Sequence, residues 1–348
     1  MTIKEIAKRA DVSIGTVDRV IHNRGKVSKE KKEKILKILK EVNYSPNIYA
    51  RGLVLNKSYT IAALIPEFDK GEYWGVPYSG VKQAFNELRQ YGINLNYFHF
   101  DQNSIESFIS QYTAVEKSKP DGVILAPVIN FESVKFCSKL VKQKIPFTII
   151  DSNIKDSGAI SFIGQDANQS GRLAAKLMDA YVGHKGKVLI VSIRNNENHN
   201  KTLQARTEGF KDFFLTSGNL ENIILEEISI DQRESNWKDS LEQIILEKMP
   251  LGIYVPSSKV HFVAEIIDKN KFSCRLIGND LIDNNLYYVE SGTIDFIIGQ
   301  RPETQGYLAL VNLYKHLVSK QSIESTIYLP IDIITEENLK YYKSHINY

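Results

Sequence analysis

From Tyr59 onward the chain alternates between two textures. Short runs rich in valine and isoleucine (TIAALIP, INLNYFHF, DGVILAPV, PFTIID, KVLIVSI, GIYVP, CRLIGND, IDFIIGQ) are separated by longer amphipathic stretches, such as 75–91, 131–143, 168–182, 234–248 and 302–319. A strand buried on both faces needs a short continuous apolar run, and a parallel crossover needs a helix between two such runs. The alternation therefore predicts an α/β body of parallel sheets covered by helices. The 290 residues from 59 to 348 are enough for either one barrel or two doubly wound lobes.

Several of these runs end in polar side chains: Asp151 after PFTII, Asp280 after LIGN and Gln300 after DFIIG. Open parallel sheets bind ligands just outside the carboxyl ends of their strands. The three residues are thus candidates for a ligand cleft. Each taken singly is also a plausible cap for the helix that follows it.

The first 58 residues read differently. They hold 14 Lys+Arg against 6 Asp+Glu, a balance of +8, whereas the remaining 290 hold 30 against 35, a balance of −5. A small basic head on a mildly acidic body points to a polyanionic partner, since neutralised phosphates release counterions; a solvated helical cap is the blander reading. Thr2-Ile3-Lys4-Glu5 has the form of a capping box, and Ile3, Ile6, Ala7 and Ala10 then share one helical face. Ser13 is placed to cap a second helix with Val17, Val20 and Ile21 inward. After the turn signal Asn23-Arg24-Gly25, Ser28 is placed to cap a third, with Ile35, Ile38, Leu39 and Val42 inward. Asn43-Tyr44-Ser45-Pro46 stops it. Residues 46–58, PNIYARGLVLNKS, read as a linker with a helical tendency that Gly52 weakens by about 1 kcal/mol. Such a segment is marginal alone and suited to folding against a partner.

TIKEIAKRADVSIGTVDRVIHNRGKVS followed by NYSPNIYARGL resembles, without a gap, the head and hinge of the lactose-repressor (LacI/GalR) family of bacterial transcription regulators. More loosely, FIGQDANQSGRLAAKL, ARTEGF, RLIGNDL and GTIDFIIGQRPETQGY make the body similar to the type I periplasmic sugar-binding fold. The resemblance implies a helix-turn-helix domain over 1–45, a hinge over 46–58 and a two-lobed body over 59–348, with the chain crossing between lobes near 163, 297 and 326. It implies a homodimeric repressor in the cytoplasm that binds a near-palindromic double-stranded operator and is controlled by a sugar or sugar derivative. The second helix would enter the major groove. The hinge would form on DNA and wedge a leucine into the minor groove.

Carried onto this chain, the reading positions are Ile14, Gly15 and Arg19. Arg19 is the best candidate for direct readout, because a guanidinium matches guanine O6 and N7. Thr2, Ser13, Thr16 and Asn23 match phosphate-contacting positions, and capping by Thr2 and Ser13 is compatible with that role. Ala50 and Leu53 are the hinge candidates, Leu53 matching the wedge. Asp18 departs from the family's usual serine, so it reads cytosine, orients Arg19 or is a tolerated charge. In the body the sugar-site positions map to Asp151, Arg206, Asp280 and Gln300, whose groups suit charge-assisted bonds to hydroxyls. Tyr73 and Trp74 sit where the family places aromatics that stack on a sugar face; packing between lobes is the alternative. Ser257-Ser258 stands where many members have Asn-Asp, implying a differently shaped pocket. Asp69, Glu72 and the stretch RNNENHN (194–200) are candidates for the cleft rim.

Other chemistries lack support. There is no G-x-x-x-x-G-K-[ST] loop, no G-x-S-x-G elbow and no H-x-x-x-H pair among the seven histidines. Cys137 and Cys274 form no metal knuckle or disulfide framework. No cofactor or metal is implied. No run of about 18 apolar residues exists to span a membrane, and the start has no signal-peptide character. No long heptad tail follows the body, so a dimer is expected rather than a tail-linked tetramer. The competing class is an enzyme or plain sugar-binding protein built on the α/β body, which leaves the basic head without a purpose.

Overall fold

The computed structural model describes residues 3–21, 25, 27–42, 58–195, 200–217 and 222–342. Thr2, Asn23, Ala50, Leu53 and positions 196–199 of the rim stretch lie outside the described residues. The chain divides into two compact units, Met1–Val54 and Leu55–Tyr348.

The first unit contains α1 (Ile3–Ala10), α2 (Ile14–Ile21) and α3 (Lys29–Glu41). Its core is Ile6, Ala7, Ala10, Val17, Val20, Ile35 and Ile38, with Ile3, Val12, Ile21 and Leu39 packed at the margin. The helical spacing in the sequence therefore lies on the core face of all three helices, except at Val42, which is half-buried just past the end of α3 and not part of this core. Asp11, in the left-handed region at φ 56°, makes the turn out of α1. Ser13 then caps α2 by accepting from the Thr16 N–H at 3.2 Å. Ser28 stands at the N-cap of α3, but its hydroxyl makes no capping bond; only its carbonyl is used, by the Lys32 N–H at 3.0 Å. An Arg9–Glu41 pair at 2.7 Å ties α1 to α3, but both side chains are more than 40% exposed. Such a pair contributes about 0–1 kcal/mol. The seven-residue core carries the unit.

The second unit is two sheets rather than one barrel. In the first, the order is β11-β5-β4-β3-β1-β2, with every pairing parallel. Its strands are β1 (Tyr59–Pro66), β2 (Ile93–Phe100), β3 (Gly122–Leu125), β4 (Phe147–Asp151), β5 (Ser161–Gly164) and β11 (Thr326–Tyr328). The second sheet repeats the plan as β12-β10-β9-β8-β6-β7. It is built from β6 (Gly186–Arg194), β7 (Ile223–Asp231), β8 (Gly252–Val255), β9 (Arg275–Asn279), β10 (Phe296–Gly299) and an antiparallel β12 (Asp332–Ile334). Both orders reverse at the lobe's first strand, β1 or β6, which places a crevice at the carboxyl ends of the central strands.

Helices cover both faces of each sheet. In the first lobe α5 (Ile105–Ser118) and α6 (Asn130–Lys142) bury Phe108, Tyr112, Phe136 and Leu140 on one face. The other is covered by α4 (Gly75–Leu88) and α12 (Pro302–Leu317). In the second lobe α9 (Trp237–Lys248), α10 (Val260–Asn270), α11 (Asp283–Glu290) and α13 (Glu336–Leu339) cover one face. The other is covered by α7 (Ala167–Val182) and α8 (Lys201–Ser217). The chain crosses between lobes at 165–166, 300–301 and 329–331, each about three residues beyond the positions expected at 163, 297 and 326. Each strand runs to its end before the chain leaves the sheet.

The glycines of the sequence motifs have a packing reason. A Cβ on Gly171 would stand 1.9 Å from the Arg206 carbonyl oxygen, and one on Gly209 would stand 2.0 Å from that of Asn168. These residues let α7 and α8 touch backbone to backbone. Gly80 and Gly306 do the same for α4 and α12, at 1.9 Å from Glu303 O and 2.0 Å from Pro77 O.

Candidate functional site

In the first unit, the exposed residues of α2 include Ile14 (51% exposed), Gly15 and Arg19, while Thr16 and Asp18 are half-buried. Beyond the Ser13 hydroxyl, 4.0 Å from where its Cβ would be, nothing among the described residues crowds Gly15. Its missing side chain is therefore not a demand of the head's own packing. Ser13 and Thr16 share a hydroxyl–hydroxyl bond of 2.9 Å at the helix start. Hydroxyls and free N–H groups at a helix N-terminus suit a phosphate.

In the second unit, the carboxyl ends of both sheets open into one cavity of about 670 Å³, a size in the range of small-ligand sites. Tyr73, Trp74, Asp151, Arg206, Ser257, Asp280 and Gln300 all line it. Asp151 is the last residue of β4, and Asp280 follows β9, the strand in the same place in the other sheet. Both sit in the left-handed region, at φ 66° and 65°. Side chains there cost about 1–3 kcal/mol and persist where the surroundings over-determine them. The turn aims each carboxylate across the strand ends, where both are 7% exposed.

Gln300, at the second crossing, joins the two. Its Nε2 donates to Asp280 Oδ1 at 2.8 Å and, more weakly, to Asp151 Oδ1 at 3.4 Å. Gln305, wholly buried on α12, holds this bridge by accepting from the Asp151 N–H at 2.9 Å and donating to the Gln300 carbonyl at 3.0 Å. The Tyr73 hydroxyl donates to Asp151 Oδ1 at 2.7 Å. Trp74 stacks edge-on against Tyr73 with centroids 5.0 Å apart, and its Nε1 donates to Gln102 Oε1 at 3.2 Å.

Arg206 on α8 is 1% exposed. One terminal nitrogen donates to the Pro256 carbonyl at 2.9 Å and lies 3.5 Å from Asp280 Oδ2. Its Nε and other terminal nitrogen have no acceptor among the described residues. Buried N–H groups left unpaired cost about 1–3 kcal/mol each. In a cavity wall this is a site waiting for oxygen. Burial pushes both carboxyl groups above the usual carboxylate range, against the pull of Tyr73 and Arg206 on Asp151 and of Arg206 and Gln300 on Asp280. Burial also works to lower the Arg206 guanidinium, yet Asp280 and its neighbours outweigh it and hold it above its ordinary value. The Tyr73 phenol is driven well up by burial and by the Asp151 charge. The arrangement offers donors and acceptors side by side with aromatic edges, which fits a polyhydroxylated ligand.

Glu72, Arg194, Asn195 and Asn200 also line the cavity, whereas Asp69 does not; its N–H bonds the Glu72 carboxylate at 3.0 Å instead. Lys259, Gln232, Gln102 and His261 line it too and escaped sequence reasoning. For Gln102, Gln232 and Lys259, the usable signal was position, a few residues past the end of a parallel strand. Among the described residues no group of three His, Cys, Asp or Glu is arranged to hold a metal ion, and no helix is long and apolar enough to cross a membrane.

Comparison with known proteins adds the following. Residues 2–47 match the family model of bacterial regulatory proteins, lacI family, and residues 61–321 match the periplasmic binding protein domain. The chain is 27% identical over 213 residues to the probable HTH-type transcriptional repressor ExuR of Bacillus subtilis, covering 60% of this chain and 59% of that protein. It is 26% identical over 351 residues to the ribose operon repressor of Lactococcus lactis, covering 97% and 98%. A crystal structure of a putative LacI transcriptional regulator from Bacteroides fragilis superposes with a TM-score of 0.77 at 29% identity, over 82% of this chain and 99% of that one.

Proposed function

We propose, from the premise that the chain belongs to the lacI family of bacterial regulatory proteins with a periplasmic binding protein domain as its body, that it is a homodimeric transcriptional repressor acting in the cytoplasm. A sugar or sugar derivative in the body's cleft would set its operator affinity. The observation that carries the reading is the pairing, in one chain, of a helix-turn-helix head with a cleft whose buried Arg206 has two nitrogens without an acceptor among the described residues. Solved structures at 20–22% identity share the body's fold, with TM-scores of 0.65–0.70. They are a glucose-galactose binding protein, a solute binding protein bound with alpha-D-tagatopyranose and an arabinose binding protein, which supports a carbohydrate ligand. The relatives matched are regulators, which favours a binding role over an enzymatic one.

The test is selection of bound duplexes from a random library at fixed salt, followed by titration of sugars against the selected operator. A near-palindrome with a flexible pyrimidine–purine centre supports the reading. Weak, salt-sensitive, sequence-independent binding counts against it. Two variants probe the contacts. Arg19→Ala is expected to cost about 1–3 kcal/mol and to relax preference at one base position, read from the selected sequences. An unaltered preference would remove Arg19 from base reading. Leu53→Ala is expected to weaken specific binding and reduce the bend angle measured by energy transfer between duplex ends, because the wedge is lost.

A further inference from the structure

The turn between β8 and α10 carries chemistry that a neutral sugar leaves unused. It runs Pro256-Ser257-Ser258-Lys259 into the eleven-residue helix Val260–Asn270, and both serines and the lysine line the cleft. Lys259 Nζ donates to Asn195 Oδ1 at 2.7 Å and to Gln232 Oε1 at 2.6 Å. Both acceptors are neutral. Among the described residues no carboxylate stands within ion-pair distance of this ammonium. Burial pushes it down to about 8, with Glu72 of the other lobe pulling the other way. A cation held in a cleft wall with no counter-ion among the described residues is costly once the cleft is dry.

Arg206 supplies a second, independent observation at the same turn. Its bonded nitrogen is tied to the carbonyl of Pro256, the residue before Ser257. The unpaired Nε and terminal nitrogen form the edge of the guanidinium that matches two anionic oxygens side by side. Two hydroxyls, a helix N-terminus, a lysine and an arginine with two nitrogens that have no acceptor among the described residues therefore line the same cleft. Helix N-termini with such donors favour anions. The departure from the family pattern has the same sense. Serines at 257 and 258, where the resembled family often has Asn-Asp, leave this turn without a carboxylate.

We propose that the effector is an anionic sugar, one carrying a carboxylate or a phosphate, with its anionic oxygens between the Arg206 edge and the Ser257–Lys259 turn. Its hydroxyls then face Asp151, Asp280 and Gln300. The inference rests on the sugar-effector reading above and narrows it.

The experiment is calorimetric titration of the full-length protein with D-glucose, D-galactose and D-mannose, each beside its uronic acid and its 6-phosphate. Wild type is compared with Lys259→Gln, which keeps a donor but removes the charge, and with Lys259→Arg, which restores the charge. At least one anionic form is expected to bind ten times or more tighter than its neutral parent. That ratio is expected to collapse towards one in Lys259→Gln and to recover in Lys259→Arg. Whether acid or phosphate wins assigns the anion. Ser258→Asp returns a carboxylate to the turn and is expected to lower the ratio in a protein whose unfolding temperature is unchanged. Neutral parents that bind as tightly as their anionic forms overturn the inference and leave the sugar reading standing. So does a Lys259→Gln that weakens both forms equally, since Lys259 would then serve lobe closure against Glu72. Absence of binding by every sugar in either form overturns the sugar reading itself, and the inference with it.

Discussion

Arg206→Met is expected to weaken effector binding at least a hundredfold while leaving operator affinity within a few-fold of wild type. The side chain has two nitrogens in the cleft wall with no acceptor among the described residues. Each charge-assisted bond to a ligand oxygen is worth about 1.5–3 kcal/mol. Losing both costs about 3–6 kcal/mol, or a factor of roughly 10² to 10⁴ in affinity. Methionine keeps much of the length and apolar volume, so the α8 packing survives. The charge balance changes instead. Asp280 loses a neighbour 3.5 Å away that draws its carboxyl down against burial. Its carboxyl therefore rises further. Arg206→Met/Asp280→Asn removes that penalty and is expected to recover folding stability without recovering effector binding. Titration calorimetry reads the first quantity and fluorescence anisotropy on labelled operator the second. An effector response that survives Arg206→Met would move the binding site elsewhere.

The α/β plan was legible because buried parallel strands are continuous apolar runs. All eight runs singled out are strands, and the five amphipathic stretches hold the helices α4, α6, α7, α9 and α12. What escaped has physical reasons. β7, IILEEISID, is an edge strand whose Glu226 and Glu227 pair with Lys248 and Lys211, so its charges break the pattern of a buried run. β11 and β12 are three residues each and mostly half-buried, and β5 is buried but only four residues long. Too few positions exist there for a period to show.

The site was legible in part for the same reason. Asp151, Asp280 and Gln300 announce themselves as polar groups at the ends of apolar runs. Arg206 lies in mid-helix, where an arginine reads as solvated, and only the ARTEGF resemblance singled it out. Lys259 carries only the weaker signal of position, a few residues past the end of β8. A lysine at the start of a helix reads as surface, and only the fold shows that the end of β8 faces the cleft. Gln305 is legible only as the fifth residue after Gln300, and its bonds to both Asp151 and Gln300 depend on α12 crossing back to the first lobe.

Gly171→Ala is expected to lower the body's stability by about 2–3 kcal/mol and to weaken effector binding as well, although position 171 is not part of the cleft wall. The added methyl would stand 1.9 Å from the Arg206 carbonyl oxygen and 2.7 Å from its carbonyl carbon. Both are backbone atoms of a helix and cannot swing aside as a side-chain tip would. Relief requires α7 and α8 to part by about 1 Å, and Arg206 travels with α8. Displacement of that order is enough to spoil bonds that depend on alignment with a ligand. Gly80→Ala is the matched control. Its methyl would stand 1.9 Å from Glu303 O between α4 and α12, so the steric cost is alike but the α7–α8 pair is spared. Thermal unfolding is expected to fall by similar amounts in both variants. Titration is expected to show the larger loss of effector affinity for Gly171→Ala. Equal losses would mean that the position of Arg206 does not set the affinity alone, because Gly80→Ala also moves the α12 helix whose Gln305 holds the Asp151–Gln300 bridge.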